Sequence, residues 1–379
     1  MKLRITNAHI VSPDVEIHNG VIDMDDGVIT AIHEGSESLP VVDDVIDAGG
    51  RYVMPGFIDI HAHGADGKDV CDNDVESIRH IAQRKLGEGV TTWLPTTLTQ
   101  PQELLEEIAG TCADYMANQE FAKTPGLHVE GPFINKANAG AQNPQFVREP
   151  NWKELKRMHE IAPAAVFSIA PDVPGACECI RQAKAAGISS SAAHTSATYD
   201  QVMAAKEAGL THLTHFGNAM TGLHHREIGV VGSGLLDPDL KIELICDTIH
   251  LCPDFLKLVF SVKPIEQLIM ITDSMCGSWI GQGEVQLGGL PVTVKDGEAR
   301  LKEGGALAGS VLLYNEGLRN VVELTDIPLN QLVKATSWNQ AKSLGLEGVG
   351  KLEPGFCADI AILDQDFSVW KTLVNGEVK

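Results

Sequence analysis

Between residues 57 and 273 the chain repeats one pattern: a short run rich in apolar and β-branched residues, then a helix-patterned segment or a long loop. The runs are Phe57–Ile60, Val90–Leu94, Leu127–Val129, Ala165–Ile169, Ile188–Ala193, His212–Thr214, Ile242–Cys246 and Leu268–Thr272. Helical periodicity fills Val75–Leu86, Gln102–Met116, Ala176–Ala186, Thr198–Ala208 and Pro253–Phe260. Parallel strands need a crossover connection, usually a helix, so this alternation predicts a parallel sheet. Eight such units predict an α/β fold of the (β/α)8 TIM-barrel class. A doubly wound open sheet is the alternative, but no Gly-x-Gly-x-x-Gly opens a first helix. Gln286–Leu301, turning at Lys295-Asp296-Gly297-Glu298, reads as a hairpin inserted after the eighth strand.

The two ends of the chain have another texture. From Leu3 to about Val53, apolar and polar residues alternate and are broken by Asn19-Gly20, Asp25-Asp26-Gly27 and Gly49-Gly50, the residues of tight turns. Gly355–Leu363 and Thr372–Gly376 repeat it. We expect a small β-sandwich domain assembled from residues 1–53 and 354–379, flanking a barrel domain over 54–353.

Charge narrows the partners. The formal net charge is −22, which opposes a phosphate backbone, so no nucleic-acid partner is expected. An anionic substrate would need a few local cations to hold it. No apolar run is long enough for a bilayer, and Met1–Asn7 lacks an export signal's apolar segment, so no membrane partner is expected. Eight cysteines without metal-finger spacing read as reduced thiols and point to the cytoplasm.

Each barrel-strand candidate of interest ends in a residue able to bind metal or move protons. His61 and His63 close the first run, and alternation along a strand turns both to one face. Glu130, His194, His215 and Asp273 close four others. Singly, each has an ordinary explanation as a cap or a satisfied histidine. Six at the ends of five of the eight runs are harder to explain that way, because barrel enzymes place their chemistry at the C-terminal ends of strands. A carboxylate and two imidazoles make a three-ligand catalytic metal site that leaves a position for water. Such a metal lowers the pKa of water to about 7, and a free carboxylate beside it, Asp273, can take the proton and return it to a leaving amine.

Pro55–Gly64 resembles the opening of the amidohydrolase superfamily. His128–Phe133, Ala193–Tyr199, His215–Met220, Thr272-Asp273 and Leu307–Ser310 are similar to the N-acetylglucosamine-6-phosphate deacetylases within it, along essentially the whole chain. The resemblance implies metal ligation by Glu130, His194 and His215, with Asp273 as general base and acid. It implies His250 as the group that stabilises the oxyanion, and Asn218 and Ala219 as contacts to a substrate phosphate. Arg226 matches an arginine that reaches the phosphate in a neighbouring subunit, so a homodimer is expected. Ala141 and the loop Leu307-Ala308-Gly309 would line the sugar pocket. The implied partner is a phosphorylated amino sugar, and the implied reaction releases glucosamine 6-phosphate and acetate in amino-sugar catabolism.

Three alternatives stay open. With His61 and His63 both present, one or two divalent metals fit; zinc is expected, while iron, manganese and cobalt suit the same donors. Gln142 stands where the family usually has histidine, and Thr248 where glycine is common. Both departures are expected to bear on the sugar pocket, which keeps N-acetylgalactosamine 6-phosphate as a rival substrate. An amidohydrolase acting on another N-acyl compound, or a barrel that has lost catalysis, are the more distant rivals.

Overall fold

The computed structural model describes residues 1–35 and 40–379; residues 36–39 of the expected terminal domain lie outside the described residues. Eight parallel strands follow one another around a barrel in sequence order: Phe57–Ala62, Val90–Thr97, Leu127–Glu130, Ala164–Ile169, Ser189–Ala192, Leu210–Leu213, Lys241–Ile245 and Leu268–Ile271. The seam between the eighth and first strands closes at the C-terminal rim. There the Asp273 N–H donates to the His61 carbonyl at 2.9 Å and the His63 N–H to the Ser274 carbonyl at 2.8 Å.

Helices Val75–Leu86, Gln102–Ala117, Ala176–Ala185, Tyr199–Ala208 and Pro253–Val262 cover the barrel within one to two residues of the expected bounds. Five more among the described residues lie outside those bounds: Trp152–Ile161, Gly229–Leu236, Tyr314–Leu324, the single turn Leu329–Leu332, and Trp338–Leu344. The first buries only Leu155 and Met158, too thin an apolar stripe to stand out. The second, Gly-Val-Val-Gly-Ser-Gly-Leu-Leu, is buried nearly all round and carries no helical period.

Both termini build one sheet, ordered Glu377–Val378, Val369–Val374, Ile360–Leu363, Tyr52–Pro55, Lys2–Ser12, Val15–Asp25, Val28–Glu34, with Asp44–Asp47 also paired to Lys2–Ser12. Lys2–Ser12 pairs in parallel with Asp44–Asp47 through Leu3–Thr6 and with Tyr52–Pro55 at His9-Ile10. The switch falls at Asn7, whose φ of 50° breaks the strand's regularity. Leu3, Ile5, Ile10, Ile22, Met24, Val53, Ile360, Ile362 and Leu373 form its buried core. Gly56 joins this sheet to the first barrel strand; a Cβ there would sit 2.2 Å from Thr91 Oγ1, so only glycine lets the two units approach this closely.

The inserted hairpin is in fact a three-stranded antiparallel sheet, Gly283–Leu287, Leu290–Lys295 and Glu298–Leu301. The extra turn is Gly288-Gly289, both at positive φ, inside what reads in sequence as one arm. Among the described residues no helix is long and apolar enough to cross a membrane.

Candidate active site

Three strand ends bring a carboxylate and two imidazoles to one point. Glu130 is the last residue of the third strand, while His194 and His215 stand two residues past the fifth and sixth. Glu130 Oε1 lies 3.1 Å from Nε2 of His194 and 3.1 Å from Nε2 of His215, and those two nitrogens are 3.2 Å apart. His194 Nδ1 is 2.9 Å from the Asn138 carbonyl, which can only accept, so Nδ1 carries a proton and Nε2 is the atom turned to the carboxylate. Donor atoms converging on one point are stable only with a proton or a cation between them. The donor set, N, N and O within 4.8 Å of one another, fits a divalent ion.

His61 and His63 form the adjoining half. Their Nε2 atoms are 3.3 Å apart, and His63 Nδ1–H donates to the Thr96 carbonyl at 3.1 Å. His63 Nε2 therefore faces Glu130 Oε2 at 3.3 Å and Asp273 Oδ1 at 3.3 Å, while His61 Nε2 is 3.4 Å from the same Asp273 oxygen. Burial pushes the His63 pKa down, but Asp273 and Glu130 outweigh it and hold it at about 9. His61 shows the same opposition and ends well above the ordinary range. Glu130 is raised by burial and then lowered well below its ordinary value, first by His61 and then by the other imidazoles. Each direction reports the same demand for positive charge in a site closed to water, which protons or metal ions can meet.

Below His61 lies Glu243, fully buried on the seventh strand with Oε2 3.6 Å from His61 Nδ1 and, among the described residues, no hydrogen-bond partner on either oxygen. Burial raises its pKa. His128 of the third strand stacks edge-on to His61 with ring centroids 4.4 Å apart. Sequence reasoning passed over both because they sit inside strands instead of at their ends.

The cavity over this cluster has a volume of about 550 Å³, ample for a sugar phosphate. Ala141, Gln142, Asn218, Ala219, His250, Leu307 and Gly309 line it together with His63, Glu130, His194, His215 and Asp273. His250 Nδ1 is 2.6 Å from Asp247 Oδ2. Burial lowers the His250 pKa and Asp247 more than restores it, leaving it raised. The Asp-x-x-His spacing was visible in sequence, but the role of Asp247 was not.

Two expected placements differ, those of Ala308 and Thr248. Ala308 is fully buried among Met275, Leu287 and Val292, so its neighbours Leu307 and Gly309 reach the cavity and it does not. Thr248 does not line the cavity either; its φ of 66° is the conformation glycine adopts freely, so its departure from glycine is a matter of backbone. Arg226 is exposed on the loop after the sixth strand, 2.9 Å from His225 Nε2, outside its own chain's cavity. Gln142 lines the cavity but is only 3 % exposed, its amide turned to Glu130. Arg300, from the inserted sheet, is a lining cation that sequence reasoning missed because the hairpin was given no part in the site.

The amidohydrolase family model matches residues 52–246 and 271–379. The chain is 31 % identical to an N-acetylglucosamine-6-phosphate deacetylase of Lysinibacillus sphaericus, covering 100 % of this chain and 98 % of the relative. It is 36 % identical to an N-acetylgalactosamine-6-phosphate deacetylase of Escherichia coli O157:H7, with 93 % of each covered. Among solved structures, a mutant N-acetyl-D-glucosamine-6-phosphate deacetylase of Mycobacterium smegmatis, in complex with N-acetyl-D-glucosamine-6-phosphate, superposes with a TM-score of 0.94 at 27 % identity, over 100 % of this chain and 99 % of that one. In sequence, fold and catalytic architecture, the chain belongs to the amidohydrolase family and, within it, to the metal-dependent amide hydrolases that deacetylate amino-sugar phosphates.

Proposed function

We propose that the protein hydrolyses the acetamide of N-acetylglucosamine 6-phosphate, giving glucosamine 6-phosphate and acetate. The observation that carries this is the convergence of Glu130, His194 and His215 beside Asp273 in a cavity that Asn218 and Ala219 also line. Glu130, His194 and His215 would hold one divalent ion, zinc in our reading, and His61 and His63 with Glu130 a second. A bound ion supplies Lewis acidity that brings the pKa of water toward about 7. Asp273 takes the proton of the attacking water and passes it to the amide nitrogen as the C–N bond breaks. His250, oriented by Asp247, donates from Nε2 to the carbonyl oxygen as it becomes an oxyanion. Asn218 and Ala219 position the 6-phosphate. Arg226, too far out to serve its own cavity, would serve that of a partner subunit in a cytoplasmic homodimer, supplying cationic charge to a chain of net charge −22. In this scheme residues 54–353 are the catalytic unit and residues 1–53 with 354–379 its β-rich support.

The similarity to the galactosamine-phosphate enzyme supports one second reading, in which the galacto epimer is the substrate. Acetate release measured on the 6-phosphates of N-acetylglucosamine and N-acetylgalactosamine, and on unphosphorylated N-acetylglucosamine, tests both. We expect the glucosamine phosphate to lead. Equal rates with and without phosphate would overturn the reading.

A further inference from the structure

The loop that follows Glu130 would ordinarily be assigned to the sugar, yet its polar contacts run the other way. The Thr99 backbone N–H donates to Gln142 Oε1 at 2.6 Å. A backbone N–H can only donate, so the amide oxygen must face Thr99, and Nε2 falls on Glu130 Oε2 at 2.5 Å as a donor. Gln142 is 3 % exposed and both ends of its amide are engaged. Its own N–H is fixed to the Ala139 carbonyl, three residues earlier in the same loop, at 2.9 Å. The same loop supplies the Asn138 carbonyl that accepts from Nδ1 of His194, and the Asn135 N–H donates to the His194 carbonyl at 2.9 Å.

The carboxylate needs such a partner. The last torsion of a glutamate is broad and two-fold, so packing alone does not fix which oxygen faces a ligand. With Oε2 held by Gln142, Oε1 is left equidistant from the two imidazole nitrogens at 3.1 Å. We propose that Gln142 is a positioning residue for Glu130, tuning how firmly the His194–His215 half of the site holds its metal, and that it does not read the sugar. This rests on Glu130 being a metal ligand. Exchange of such outer partners of metal ligands typically costs 10- to 100-fold in metal affinity.

The test is Gln142→Met, close in shape and without an amide, set beside Gln142→Asn, which keeps a shortened amide. Zinc affinity is measured by chelator competition, the cobalt(II)-loaded protein gives a ligand-field spectrum, and kcat/KM is measured on both hexosamine phosphates at saturating zinc. We expect Gln142→Met to lose about 10- to 100-fold in zinc affinity and to alter the cobalt spectrum. The ratio of kcat/KM between the two epimers should stay within twofold, and Gln142→Asn should recover part of the affinity. Unchanged zinc affinity with a shifted epimer ratio would overturn the proposal, as would an equal fall in the melting temperature of the metal-free protein. The metal readings stand whether or not either sugar phosphate is turned over, so a failed substrate assignment is told apart from a failed role for Gln142.

Discussion

Lys85 lies completely buried at the seam where the barrel closes, and its replacement by methionine is the sharpest test of how the site is supported. Its ammonium is 3.0 Å from Asp59 Oδ2, 3.0 Å from Glu88 Oε2, 3.2 Å from Thr272 Oγ1 and 2.9 Å from Ser274 Oγ. Thr272 and Ser274 flank Asp273, and Asp59 lies two residues before His61. Burial lowers the Lys85 pKa, but Glu88 and Asp59 outweigh it and leave it raised. Burial also raises that of Glu88, which Lys85 and the Trp279 N–H only partly offset. Removing one partner of a buried ion pair strands the other charge, at about 3–5 kcal/mol, and here two carboxylates share the one ammonium. We expect Lys85→Met to lower the urea unfolding free energy of the zinc-loaded enzyme by about 3–5 kcal/mol. A fall in kcat should accompany it as Asp273 loses its neighbours' anchors. Adding Glu88→Gln removes one stranded charge and should recover about 0.5–3 kcal/mol, the usual size of coupling between contacting groups. A loss below about 1 kcal/mol, the scale of an exposed pair, with unaltered kcat would refute the idea that this cluster supports the catalytic rim.

Asp273→Asn should reduce kcat by about 10²- to 10⁴-fold, the contribution typical of a general acid–base group, while zinc content by elemental analysis is unchanged. Arg226→Ala should raise KM for the 6-phosphate about 10- to 100-fold, in line with the 1.5–3 kcal/mol of a charged hydrogen bond. Turnover of unphosphorylated N-acetylglucosamine should be untouched, and a KM that stays put removes Arg226 from the site. His212 is held at about 3, chiefly by burial, against an ordinary 6.5. The unfolded chain therefore binds a proton that the folded one refuses. That group's contribution is complete above about pH 6.5 and is lost as pH falls toward 3, up to about 5 kcal/mol in all. His212→Gln should flatten this acid limb of the denaturation profile relative to the parent enzyme.

The repeating strands and helices were legible because each barrel strand is buried on both faces and reads as a compact apolar run. Glu130, His194, His215, His61, His63 and Asp273 were legible because each ends such a run, where a barrel presents side chains to its mouth. What stayed hidden depends on contacts distant in sequence. Glu243 and His128 meet His61 only through barrel closure. Arg300 reaches the cavity only because the inserted sheet folds over it. Gln142 was visible as an unusual residue, but whether its amide faces sugar or metal is decided by the Thr99 N–H, 43 residues away in the chain.

The backbone at three of the proposed site residues shows how they are turned into the mouth. His194, His215 and Asp273 have φ values of 45°, 34° and 50°. The left-handed region costs a side-chain-bearing residue roughly 1–2 kcal/mol, and it persists only where the surroundings over-determine it. Neighbouring strands and loops supply that constraint. The Asp273 N–H is tied to the His61 carbonyl at 2.9 Å and its carbonyl accepts from Ser310 at 2.7 Å. Phe216, next to His215, donates to the Glu243 carbonyl at 2.8 Å, and Thr195, next to His194, to the Ala219 carbonyl at 3.0 Å. Each reversal of the backbone turns a side chain at a strand end into the mouth, and each is held by a different part of the rim. Ligands gathered on one loop would share one set of constraints and move together. Distributed around a closed barrel, they are held by different backbone partners, the first-strand rim and Ser310 at Asp273 and the seventh strand beside His215.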